Sequence, residues 1–136
     1  MRFAIVILLV FLTGCATAPP TAEAMKAVPA MQIVALPNVT SPTPAKVRVV
    51  RDEGFVASAV FMHLGLDGKR LVSLMPGEFI DFSADPGEYL MTAMPTDPFG
   101  VHHPTTLDAV WRASQRYTYR LGMDANMKLN LFRVAN

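Results

Sequence analysis

The stretch Ser58-Ala59-Val60-Phe61-Met62-His63-Leu64-Gly65-Leu66-Asp67-Gly68-Lys69-Arg70-Leu71-Val72-Ser73-Leu74 decides the fold class. Val60, Met62, Leu64 and Leu66 recur at every second position, so an extended chain puts them on one face and His63 on the other. Asp67-Gly68 then tolerates the positive φ angles of a type I′ turn, and Lys69 to Leu74 is the returning strand of a hairpin. Working outward, Lys46 to Arg51 precedes this pair. Pro76-Gly77 breaks the chain before Glu78 to Phe82, and Asp85-Pro86-Gly87 breaks it again before Tyr89 to Met94. Pro95 to Pro104 reads as a loop. Thr106 to Trp111, Arg116 to Leu121 and Met127 to Val134 follow, with Tyr117, Tyr119 and Leu121 alternating against Arg116, Thr118 and Arg120. After Pro44 no run of eleven or more residues keeps a helical stripe. Seven or so short strands between residues 45 and 136 predict an all-β domain, a small antiparallel β-sandwich of immunoglobulin-like or transthyretin-like type.

Composition agrees with one small packed domain. Of 136 residues 51% are hydrophobic and 17% charged, too apolar for a disordered chain. Twelve Lys and Arg stand against eleven Asp and Glu, so no electrostatic footprint points to nucleic acid. A single Cys excludes an internal disulfide, a multi-Cys zinc site and an iron–sulfur cluster.

Upstream, Met1-Arg2 leads into the apolar run Phe3 to Leu12 and the small residues Thr13 and Gly14, the layout of an export signal. Even taken to Ala18 the apolar segment falls short of the roughly 20 residues that span a bilayer. Ala16 to Pro44 is rich in Ala, Thr and Pro, with prolines at 19, 20, 29, 37, 42 and 44. Prolines this frequent disfavour helix interiors and central strands, so a partly extended tether is expected, with a root-mean-square span of roughly 30 Å as a flexible coil. Within it, residues 31–36 have strand-like composition suited to an extra edge strand.

Leu12-Thr13-Gly14-Cys15 resembles the lipobox of bacterial lipoproteins. That resemblance implies a signal peptide over 1–14, acylation of Cys15 as the first mature residue, a linker over 15–44 and a domain over 45–136. Membrane lipid would be the first partner, held through the acyl chains of Cys15. Ala16, where Asp would favour inner-membrane retention, resembles the outer-membrane sorting case and implies a periplasm-facing location in the bacterial envelope. Removing residues 1–14 takes away Arg2 alone and leaves eleven basic against eleven acidic side chains.

The arrangement Val49-Val50-Arg51, Gly54-Phe55-Val56-Ala57-Ser58, Leu66-Asp67-Gly68-Lys69, Leu74, Pro76-Gly77-Glu78-Phe79 and Pro86-Gly87 is similar to a family of small envelope lipoproteins catalogued as a domain of unknown function. The likeness covers about residues 45–134 and implies fold and location; the family carries no assigned chemistry. Glu88 stands where a basic or His residue often follows the Pro-Gly turn, and the 95–105 loop has no counterpart.

Candidate chemical groups are sparse. His63, His102 and His103 are the only histidines, and adjacent histidines on an extended chain point apart. Ser41, Ser58, Ser73, Ser83 and Ser114 lie in no Gly-x-Ser-x-Gly elbow, and Asp67 and Asp85 belong to turns. Among nine methionines, Met62, Met91 and Met127 fit core positions better than a copper site. Arg112, Arg116 and Arg120 form a cluster that could touch lipid headgroups or cell-wall carboxylates. The sequence therefore predicts a protein that is not an enzyme and carries no cofactor or metal. It reads as an interaction or structural module meeting an envelope protein or the cell wall. The alternative is a periplasmic binder of small ligands or glycans.

Overall fold

The computed structural model describes residues 17–54, 59–96, 103–124, 126 and 128–135, and in it the alternating runs become strands of two facing sheets. Among the described residues these are β1 (Lys26–Ala27), β2 (Ala45–Arg51), β3 (Met62–Leu66), β4 (Lys69–Leu74), β5 (Glu78–Ala84), β6 (Gly87–Pro95), β7 (Thr105–Trp111), β8 (Arg116–Met123) and β9 (Leu129–Val134). The first sheet has the order β1-β5-β2-β8-β9 and the second β4-β3-β6-β7. The protein is an all-β sandwich, as its period of two dictates. The second sheet is wholly antiparallel. The first is mixed, because β2 runs parallel to β8 from Lys46 opposite Arg116 to Arg51 opposite Leu121. That sense follows from the path: the chain leaves β2 through the other sheet and returns by the turn after Trp111 to the end where β2 began. β1 is also parallel to its neighbour β5.

Inward side chains from both sheets make one core, including Val47, Val49, Ile80, Tyr119 and Leu121 from the first and Leu64, Val72, Met91 and Trp111 from the second. Trp111 is 1% exposed. Its ring stacks on Tyr89 at 4.4 Å and meets Phe82 edge-on at 5.8 Å, while its indole N–H donates to Tyr119 Oη at 2.9 Å. An aromatic of this size removes a large apolar area from water and still satisfies its polar atom. Met62 and Met91 take the expected core places, whereas Met127 lies outside the described residues.

The Asp67-Gly68 turn has φ of 48° and 79°, both left-handed, as a type I′ turn needs. A two-residue turn pairs Leu66 with Lys69 and Gly65 with Arg70, and continued evenly it would set His63 against Val72. Instead a bulge between Leu64 and Gly65 lets Leu71 slip in as an extra residue, so Leu64 faces Val72 and His63 faces Ser73. The slip explains why Leu71 and Val72, consecutive residues, are both buried.

Residues 17–44 do not stand off as the expected tether; they are laid along the sandwich as a strap. Lys26 N–H donates to Gly77 O and Val28 N–H to Phe79 O, adding β1 to the β5 edge. A 3-10 turn, Ala30–Gln32, carries the chain across to the second sheet. There Gln32 Nε2 donates to Ser73 O and to Glu78 Oε2, both at 2.7 Å, and Val34 N–H donates to the bulged residue's carbonyl, Leu71 O, at 2.8 Å. The extra strand expected at 31–36 is thus a single bridge, Ile33 with Val72. The 3-10 turn takes up Ala30–Gln32 and leaves no continuous ladder, but residues along the strap still donate one or two at a time, and Val28 and Ile33 pack on the core. At the far end Asp85 accepts from the N–H groups of Thr40 and Ser41 and from the Thr40 hydroxyl. The Ser41 N–H, with the Thr40 donors, holds the Asp85 carboxyl below the usual aspartate range. Its role exceeds the turn read from sequence.

Candidate functional site at the N-terminal end of the sandwich

Cys15, the expected acyl acceptor, and Ala16 lie outside the described residues, and Thr17 begins the described chain. β2 and β8 finish at the same end because they run parallel, and Thr17 is fixed between their last residues. Thr17 N–H donates to Met123 O at 3.0 Å, and Met123 N–H donates to Thr17 Oγ1 at 2.8 Å. The hydroxyl proton is shared between Met123 O at 3.2 Å and Asp52 Oδ2 at 3.4 Å. Ala18 and Glu53 then exchange two backbone bonds of 2.8 Å.

Asp52 is 5% exposed and is held by a fork from Arg120, Nε to Oδ1 at 2.9 Å and Nη2 to Oδ2 at 2.6 Å. A bidentate guanidinium suits a buried carboxylate, since both oxygens are satisfied in one plane. The space for this pair exists because residue 122 is Gly. A Cβ there would press into the Asp52 carboxylate and lie 2.7 Å from Thr17 Oγ1.

Arg51, next along, follows the inward parity of Ala45, Val47 and Val49 and is 3% exposed. Its Nη1 donates to the carbonyls of Val60 and Leu74, closing the ends of the second sheet. Burial pushes its pKa down to about 10, with Glu78 opposing the shift, so it stays charged at neutral pH. Glu78 in turn accepts Gln32 Nε2 and Met75 N–H. This end is a continuous polar lock around the chain that leads to Cys15.

The three arginines expected to cluster separate. Arg120 belongs to the lock, while Arg112 is exposed in the turn between β7 and β8. Arg116 lies four residues from Arg120 along β8, about 13 Å away in an extended strand. It lines an open hollow of about 480 Å³ with Lys46, Arg48, Asp81 and Thr118. There Arg48 forks Asp81 at 2.7 Å on both arms, and Lys46 Nζ donates to Ser83 Oγ.

The bulge brings together a pair that sequence reasoning did not find: His63 Nδ1 lies 2.7 Å from Ser73 Oγ. A Ser–His contact has the residue types of a nucleophile and its base, and the second ring nitrogen bears on the direction of the bond. Arg70 Nη1 lies 3.4 Å from Nε2 and can only donate, a contact that favours the tautomer protonated on Nδ1. In that tautomer Nδ1–H donates to Ser73, the reverse of what a general base requires. His103 is exposed and His102 lies outside the described residues. Among the described residues no three His, Cys, Asp or Glu side chains converge as metal ligands would.

Burial lowers the His63 pKa, and Arg70 lowers it further. The unfolded chain takes up the His63 proton near pH 6.5, above the folded state. Stability from this group is therefore complete above about pH 6.5 and is lost as pH falls through the folded value. Urea midpoints measured at pH 7.5 and 5 are expected to drop more for the wild type than for His63→Gln. The chain matches no protein-family model, and no curated protein matches it.

Proposed function

We propose that the protein is a non-catalytic lipoprotein of the bacterial envelope, acylated at Cys15, whose sandwich is an interaction or structural module on the periplasmic face of the outer membrane. The observation that carries the reading is Leu12-Thr13-Gly14-Cys15 placed directly behind the apolar run Phe3 to Leu12. Two or three acyl chains, at about 0.8 kcal/mol per buried methylene, hold such a protein durably where one chain would not. The Arg70 contact, which favours Nδ1–H donating to Ser73, supports a non-catalytic role, and the balanced charge of the mature chain supports a partner other than nucleic acid.

Cys15→Ala is the direct test. Labelled fatty acid is expected in the wild type and absent in the variant, which accumulates as an uncleaved precursor or a soluble product. Equal labelling of both proteins would sink the assignment.

A further inference from the structure

We propose that the sandwich rests directly on the bilayer, its Thr17 end against the lipid headgroups and the turn at residues 112–115 directed away. The inference builds on acylation of Cys15 and adds the orientation in which the domain works. Thr17 is pinned to Met123 and Asp52, and only Ala16 separates it from Cys15. Two residues reach at most about 7 Å. The headgroup layer on each side of a bilayer is roughly 5–8 Å deep. With the acyl chains of Cys15 in the hydrocarbon, its backbone lies at the headgroup layer and Thr17 stays within about 7 Å of it.

The strap gives no extra reach, because it begins at Thr17 and is bonded along the sandwich through to Asp85. Among the described residues near Thr17, Glu53, Asn126 and Lys128 are exposed, and Lys128 can meet lipid phosphates. The turn at 112–115 lies at the opposite end of β8, eight residues and about 25 Å farther out. The partner of the Thr17 end is thus the membrane surface, and partners of another kind must approach the remaining faces.

The test uses full-length lipidated protein reconstituted in vesicles of phosphatidylethanolamine and phosphatidylglycerol with a spin-labelled headgroup. Because acylation consumes Cys15, Asn126→Cys or Gln115→Cys supplies the one free thiol for a fluorophore. Quenching is expected to be several-fold stronger at position 126 than at 115. Inserting twenty Gly/Ser residues between Ala16 and Thr17, which span about 25 Å, is expected to erase the difference while fatty-acid labelling persists. Equal quenching without the insertion, or stronger quenching at 115, overturns the orientation and leaves lipidation standing. Absence of fatty acid from the protein overturns both.

Discussion

Replacing Arg51 by Met is expected to cost about 3–5 kcal/mol of unfolding free energy, read as a lower urea midpoint for residues 17–136. The substitution keeps the apolar stem and removes the donors. The carbonyls of Val60 and Leu74 then lose their guanidinium partner in a place where Arg51 itself is 3% exposed. A buried acceptor without a partner costs about 1–3 kcal/mol, and Glu78 loses its positive neighbour as well. Arg51→Lys keeps the charge but not the planar fork, so it is expected to recover only part of the loss. A midpoint unchanged in Arg51→Met would show that the two carbonyls find water and that the arginine is not structural.

Gly122→Val is expected to be comparably damaging, again about 3–5 kcal/mol, through a different route. Its side chain would occupy the place of the Asp52 carboxylate and the Thr17 hydroxyl, forcing Asp52 off the Arg120 fork. Breaking a buried ion pair from one side leaves an uncompensated charge. Removing that charge should help, so Gly122→Val with Asp52→Ala is expected to be more stable than the sum of the two single losses. The strap should loosen at its start, and trypsin is expected to cut at Lys26 faster in Gly122→Val than in the wild type. Additive losses in the double variant would separate the glycine from the pair.

The strands were legible because Val60 to Leu66 and Tyr117 to Leu121 alternate cleanly and because Asp67-Gly68 and the two Pro-Gly turns punctuate them. What stayed hidden depends on register or distance along the chain. His63 meets Ser73 only through the bulge at Gly65, and the available signal was a glycine inside a strand pattern. The inward position of Arg51 could be read from its parity with Val47 and Val49, but its partners, the ends of β3 and β4, belong to the other sheet. Asp52 and Arg120 are 68 positions apart, and no local pattern joins them. The strap was misread for a physical reason: proline density measures the absence of a ladder, whereas isolated donors such as Lys26, Val28 and Gln32 can still fasten a chain. The site residue named from sequence, Cys15, lies outside the described chain, and the lock beside it emerged only from the fold.

The pairing of Thr17 with Met123 spans 106 positions, and that of Lys46 with Arg116 spans another long interval of chain. Contacts so distant in sequence pay their loop-closure entropy before they return any stability, which places folding in the millisecond-to-second range typical of sandwiches. The order of synthesis sharpens this. Thr17 emerges early and Met123 almost last, so Thr17 must wait, unfastened, until nearly the whole domain has arrived. During that wait β2 lacks its partner β8, and its unpaired backbone donors and acceptors invite pairing with other chains. Acylation of Cys15 would hold each nascent molecule at the bilayer through this interval, lowering the rate at which unfinished sheets meet one another in solution.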